Sequence, residues 1–593
     1  MKYLSQHFKH AIVEDFEFHH GDNPGNVPVP VCVVAHDLIT GDEYNVWLDG
    51  VKAPSIPYPC GDDTLFISYY TGAEINCHLA LNWPTPGNNI DLYAEFRTLH
   101  NGRYFSINDP KKKWGLTSAL TYYGLSSMGS DRKDSMRDRI LQGPPYSQHE
   151  RDQILEYCAA DVDGTVQLFE KMLPSIQIPY ALMRGEFSAN CARIEYAGIP
   201  IDMDIFNLLN DNWHDIQLHL IREVDKDFKI YEGTVFKERN FLKYLIKNNI
   251  PWPRTRTGKP RTDGDTFKEM SQTYPQLTPL KELKHTTGQI KLKKLQVGND
   301  GRNRTLLSPF GTITGRCAPS TAKYVFGPAK WMRSLIKPGP DMALAYLDWS
   351  QQEYAIAAAL SDDKQMQESY QSGDPYLTFA KLAKAVPQDA TKESHPKERS
   401  LYKACVLAIA YGMGPKAFAH RINKPESVAR RLLRQHKQAY PTFWKWSDQV
   451  VTYASTRGTL ETVLGWRYQW PFNKRPGQEP NPRQLRNWPM QSNGAEMLRI
   501  AVHEILTKGV SIVALVHDAI MIEAPIKDID NAVEICKKSM LRASRMLLNG
   551  FTVGVDAEIV KYPDRYIDEH GKHMWNIVME ILTEKVCGFV TSY

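Results

Sequence analysis

The chain has 593 residues, enough for about three to five structural units that each bury a core. It is 42% hydrophobic and 23% charged, with a formal charge of only +5, which excludes a disordered polyelectrolyte and leaves any nucleic-acid binding to local clusters. The nine cysteines stand singly, without CxxC or Cys/His zinc spacing, the N-terminus lacks an apolar signal core, and no run reaches the ~18 apolar residues of a membrane span; a soluble protein of a reducing cytosol is expected.

In chain order, residues 12–21 (IVEDFEFHHG) alternate as a strand and carry Asp15 and Glu17. Residues 29–38 and 43–50 continue the sheet, and residues 65–81 (LFISYYTGAEINCHLAL) pass from strand to helix near Glu74. Residues 150–172 read as a helix with Tyr157 and Asp161 four apart, hence on one face. Acids along a strand, one at a strand-to-helix junction and a Tyr–Asp pair on a helix can surround two metal ions, with the tyrosine orienting a water. Taken alone, a Tyr–Asp helix is more often a solvated acid beside a packed tyrosine.

Residues 181–300 read as long helices with two basic clusters, Arg254, Arg256, Lys259 and Arg261, then Lys291, Lys293 and Lys294. The bland reading is a solvated face. The functional one is a sequence-independent grip on duplex phosphates.

Further on, TITGR holds Arg316 and MALAYLDWSQQEY holds Asp348, Gln351 and Glu353. Arg399, Lys403, Leu407 and Tyr411 follow at four-residue spacing, on one helical stripe that Pro396 opens and Gly412 closes. NPRQLRNWPMQS supplies Arg483, Asn487 and Gln491, and SIVALVHDAIMIE supplies His517 and Asp518 between two apolar runs, as in a strand–turn–strand hairpin. Two carboxylates brought to one sheet edge can hold two divalent cations about 4 Å apart for displacement at phosphorus.

The N-terminal set, DxE at 15–17, Glu74 and YxxxD at 157–161, resembles the DEDD-type 3′–5′ exonucleases in their tyrosine variant; Asp91 in DLYAEFR matches the segment after the second motif, and Glu74 stands where that family has Asp. The ordered set TxTGR, DxSQxE, RxxxKxxxLxxxYG, RxxxNxPxQ and HD resembles the family A DNA polymerases of the bacterial polymerase I type. The resemblance implies an α/β and α architecture: an RNase H-like exonuclease domain over 1–178, then a right-hand polymerase over 179–593 with thumb near 181–300, palm near 301–362 and 485–593, and fingers near 363–484.

It further implies that Asp348 and Asp518 bind metal, that Arg399 and Lys403 bind the incoming triphosphate, and that Glu353 gates the sugar 2′ position beside Gln351 and Leu407. Tyr411 is implied near the templating base and His517 near the primer end; Arg316, Arg483 and Gln491 contact the nascent pair's minor groove, and Asn487 binds DNA beside them. In the exonuclease unit Asp15, Glu17, Glu74 and Asp161 bind metal and Tyr157 is catalytic. Two Mg²⁺ ions are implied at each site, with Mn²⁺ as a substitute, and primer-template DNA and deoxynucleoside triphosphates as the ligands of a monomer. Departures are Ala519 where an acid usually follows HD, Ala355 for an Arg, Leu407 for an aromatic, Tyr376 for a fingers His, and CAPSTAKYVFG for an Asn-rich stretch. The compact pattern looks like a bacteriophage replicase, similar to polymerases associated with 2-aminoadenine genomes, acting in the cytoplasm of an infected bacterium. A single-subunit RNA polymerase, a silent nucleic-acid clamp and a protein with only the nuclease active are the alternatives; Glu353 and the exonuclease region oppose the first.

Overall fold

The computed structural model describes residues 4–103, 113–126, 130–255, 257–289, 292–327, 329–410, 412–469 and 482–590. Five strands come first: β1 (His10–His19), β2 (Val29–Asp37), β3 (Glu43–Trp47), β4 (Thr64–Ser68) and β5 (Asn88–Asp91). They form one mixed sheet in the order β3-β2-β1-β4-β5, antiparallel from β3 to β1 and parallel from β1 to β5. Apolar residues pack on both faces of β1: Ile12 and Phe16 join a cluster with Val33, Phe66 and Trp83, whereas Val13 joins Val31, Leu65 and Phe169. The alternation places Asp15 and Glu17 on the face of Val13. That face is covered by the helix Gln148–Met172, which opens on a reciprocal capping box between Ser147 and Glu150.

The helix Ile178–Ala197 begins at the expected domain boundary, yet it packs against β5 and the helix Thr71–Ala80. At Gly185 a Cβ would lie 2.0 Å from the Asn89 carbonyl oxygen, so only glycine permits this approach. Around that contact Ser188 donates to Asp91 at 2.6 Å, and Arg184 grips Glu95 through Nε at 2.5 Å and Nη2 at 2.8 Å. The long helical stretch expected from 181 breaks at Gly198 (φ 65°), where Ile199–Pro200 pair with Arg302–Asn303 before the helix Met203–Asp225 resumes.

The C-terminal half is built on a second sheet, of β6 (Met342–Trp349), β7 (Ser511–Val516), β8 (Ala519–Pro525) and β9 (Val555–Lys561), in the antiparallel order β7-β8-β6-β9. The helices Pro482–Thr507 and Ile529–Leu547 pack together against it. One continuous core takes in Ala94 and runs from Phe187 to Leu582 through both. The C-terminal helix Lys572–Val590 packs on Met203–Asp225, with Trp575 against Trp331 at 6.3 Å between ring centroids. Among the described residues no helix is long and apolar enough to cross a membrane.

The Arg184–Glu95 pair is buried at both ends, 6% and 2% exposed, so removing one partner strands a charge out of water. Arg184→Leu is expected to destabilise the protein by about 3–5 kcal/mol in urea unfolding, and the double variant Arg184→Leu/Glu95→Leu to recover most of that loss.

Candidate active site

Along β6 the residues Ala345, Leu347 and Trp349 are buried while Tyr346 and Asp348 face the open side. The register sets Leu347 opposite Ile520, which carries the end of β6 to the tip of the β7–β8 hairpin, where His517 and Asp518 lie. Both turns hold a non-glycine residue in the left-handed region, Gln351 at φ 51° and His517 at φ 57°. Such strain collects where geometry serves a site. Asp348 and Asp518 line one cavity of about 240 Å³ together with Gln351, Glu353, Tyr376 and Leu407.

Burial, then the Asp518 carboxylate, pushes the Asp348 carboxyl up to about 6; Asp556, its register partner on β9, adds to the push. Burial also raises Asp518, with the Arg316 guanidinium pulling the other way. Arg316 Nη2 lies 2.8 Å from each Asp518 oxygen. The amide of Gln352, oriented with its nitrogen toward the carboxylate, donates to Oδ2 at 2.8 Å and Oδ1 at 3.3 Å. Arg316 can reach because its loop is pinned: the Ile313 carbonyl accepts from Asn101 at 2.7 Å, Trp488 at 2.9 Å and Trp466 at 3.1 Å. Arg499 donates to the Gly315 carbonyl at 3.0 Å. The sequence motif assigned Arg316 to the minor groove of the nascent pair; the structure pairs it with Asp518.

Arg399 and Lys403 emerge together from the helix Pro396–Ala410, at 5.7 and 5.6 Å from the Tyr376 ring centre, and Arg399 also pairs with Asp374. Leu407 lies further along the same helix, in the cavity; Tyr411 falls outside the described residues. Arg316, Arg483, Asn487 and Gln491 line a neighbouring cavity of about 640 Å³. Gln491 donates to Glu353 Oε1, while Glu353 Oε2 and Asn487 Oδ1 are buried without a hydrogen-bond partner. Burial raises the Glu353 carboxyl. His517 is exposed at the hairpin tip. Of the second basic cluster, Lys294 is exposed on the turn Leu292–Lys294, Lys291 falls outside the described residues, and so does the side chain of Lys293. In the first cluster Arg261 is paired with Asp263 at 3.0 Å.

In the N-terminal unit, ligand atoms of Asp15, Glu17 and Cys158 lie within 4.8 Å of one another. Burial, then Asp161, pushes the Asp15 carboxyl up to about 8, and burial followed by Asp15 raises both Glu17 and Glu74. Glu74 is 4% exposed, and its Oε2 has no hydrogen-bond partner. Tyr157 is buried on the same helix as Asp161, whose carboxylate takes the Lys133 ammonium at 2.5 Å. Asp91, by contrast, caps the helix Leu92–His100.

Mutually repelling carboxylates and an orphaned buried oxygen suit a divalent cation with hard oxygen ligands, at this site as at Asp348 and Asp518. Sequence reasoning passed over Lys133, Cys158 and Gln352. The basic run around 132–139 was a signal for the first, and the doubled glutamine of SQQE for the last.

A carboxyl raised by folding makes the native state hold more protons than the unfolded chain, so stability falls as pH rises from the ordinary 3.8 toward about 8 for Asp15. In chelator, the thermal midpoint is expected to fall between about pH 5 and pH 8, Mn²⁺ at the upper pH to restore it, and Asp15→Asn to flatten the dependence.

The DNA polymerase I of Aquifex aeolicus (strain VF5) is 24% identical over 448 residues, covering 69% of this chain and 75% of that one. The thermostable DNA polymerase I of Thermus aquaticus is 22% identical over 425 residues, 66% of this chain, which spans about half (49%) of that relative's length. In fold, the chain is similar to the POL domain of Pol1 from M. smegmatis, solved in complex with DNA primer-template and dNTP, with a TM-score of 0.73 over 98% of both chains at 17% identity. The signature described as DNA polymerase family A matches residues 209–561, more than half of the sequence, and the chain belongs to that family.

Proposed function

We propose that this chain extends a DNA primer by templated addition of deoxynucleotides and that its N-terminal unit trims the same 3′ end by hydrolysis. The observation that carries the polymerase reading is the convergence of Asp348 and Asp518, 170 positions apart, on one cavity beside the helix that bears Arg399 and Lys403.

Divalent cations, two Mg²⁺ at each site with Mn²⁺ as a substitute, supply Lewis-acid stabilisation of charge at phosphorus when bound. The chain's own groups do the rest. Asp348 and Asp518 hold the cations. Arg399 and Lys403, both set over Tyr376, neutralise the triphosphate and the departing pyrophosphate. Glu353, tethered by Gln491, closes the sugar pocket against a 2′-hydroxyl with Gln351 and Leu407 beside it. Arg316, Arg483, Asn487 and Gln491 meet the minor-groove acceptors that every correct pair presents, which tests shape without reading sequence. His517 meets the primer end, Tyr411 the templating base, and Lys291, Lys293 and Lys294 the duplex phosphates. In the N-terminal unit Asp15, Glu17, Glu74 and Asp161 hold metal and Tyr157 orients the attacking water.

Asp348→Ala and Asp518→Ala are each expected to abolish primer extension on a gel while 3′ trimming continues, and Asp15→Ala to do the reverse. Extension by Asp348→Ala at the wild-type rate sinks the polymerase assignment, and trimming by Asp15→Ala at that rate sinks the nuclease one. Glu353→Ala is expected to raise ribonucleotide incorporation.

Replication of a phage genome in a bacterial cytoplasm belongs to this reading on sequence resemblance alone. So does a preference for 2-aminoadenine, whose extra amino group adds a minor-groove donor; Asn487, which lines the neighbouring cavity, is the amide side chain whose oxygen would accept from it. Competition between 2-aminoadenine and adenine triphosphates tests it: equal use, or a preference unchanged in Asn487→Leu, removes this route.

A further inference from the structure

We infer that Gln352 is a positioning residue for Asp518: its amide fixes the orientation in which that carboxylate presents itself to a divalent cation. The inference rests on the reading of Asp348 and Asp518 as cation ligands. Gln352 opens the helix Gln352–Ser361, directly after the left-handed Gln351, and is 5% exposed. A buried amide must find its partners inside the protein. With its nitrogen toward Asp518 it donates at 2.8 and 3.3 Å to the two oxygens; turned the other way, its oxygen would face only acceptors.

A second observation points to the same contact from another element. Gly494 lies in the interior of the helix Pro482–Thr507, where glycine is a poor helix former, and its φ is not left-handed. A Cβ at that position would lie 3.0–3.4 Å from the three terminal atoms of the Gln352 amide group, tighter than ordinary packing. The missing side chain leaves the amide its seat.

The two donors on Asp518 differ in kind. The Arg316 guanidinium spans both oxygens as a cation, and a metal ion binding there meets a like charge, so Arg316 must withdraw first. The Gln352 amide is neutral, stands just past the turn that follows Asp348, and can stay. It therefore ties the hairpin carboxylate to the strand carboxylate in the state that binds metal. Removing such an orienting partner weakens metal affinity by about 10- to 100-fold.

The test uses full-length protein with Asp15→Ala to silence the N-terminal site and a dideoxy-terminated primer-template. Mn²⁺ binding is followed by the electron paramagnetic resonance of free Mn²⁺. Gln352→Met keeps the length and removes the donor; Gly494→Ala keeps the donor and crowds it. Both are expected to weaken Mn²⁺ binding about tenfold or more, with little change of thermal midpoint in chelator, and Gln352→Met to have no further effect once Asp518→Asn is present. Unchanged affinity in Gln352→Met, or an equal loss with and without Asp518→Asn, overturns the inference. Should Gln352→Met fail to fold, Gly494→Ala decides by the same criterion. If Asp518→Asn alone leaves Mn²⁺ binding intact, the ligand assignment itself has failed and the inference with it.

Discussion

Two carboxylates forced toward one another in a half-buried cleft repel, and the C-terminal half of this protein is organised around sustaining that repulsion. Asp348 is pushed up to about 6 by burial and by Asp518, so the pair sits in surroundings that oppose its charge. The chain answers with elements from four distant stretches. β6 brings one acid, the β7–β8 hairpin brings the other, the loop around residue 313 brings Arg316, and the helix Pro482–Thr507 leaves a gap for the amide that steadies Asp518. Each of those elements is held by the large core rather than by the site itself. Rigidity is thus imposed from behind, on a geometry that its own electrostatics would loosen.

The N-terminal unit poses the same problem with a different interim answer. Its acids are more deeply buried and raised further, and Lys133 already places an ammonium on Asp161. At both centres a basic side chain pairs with one carboxylate. Arg316 comes from a loop fixed by three donors on one carbonyl, whereas Lys133 comes from the single helix Ser130–Gln142.

Much of this was legible in the sequence because strands and helices announce themselves by period. The alternation in IVEDFEF and MALAYLDW marked the strands that carry Asp15, Glu17 and Asp348, and four-residue spacing put Arg399, Lys403 and Leu407 on one helix. The hairpin at Asp518 followed from apolar runs on both sides of a polar turn. What stayed hidden were contacts between residues far apart in the chain. No local pattern ties Arg316 to Asp518 across 202 positions, or tells that the second glutamine of SQQE points inward rather than to solvent. Helical spacing also missed the break at Gly198, since a left-handed residue interrupts a helix without disturbing the apolar rhythm around it.

The seam between the two halves has an effect on how the protein can be divided. Asn101, from the N-terminal unit, donates both to the Ile313 carbonyl and to the Arg467 carbonyl at 2.7 Å, and Arg97 reaches the Gly311 carbonyl at 3.2 Å. The loop that steers Arg316 is therefore partly fastened by the preceding unit. Excising residues 1–178 would remove both Asn101 and Arg97 and slacken that loop from the outside, so the shortened protein would differ from the whole in the seating of Arg316 as well as in the loss of its first unit.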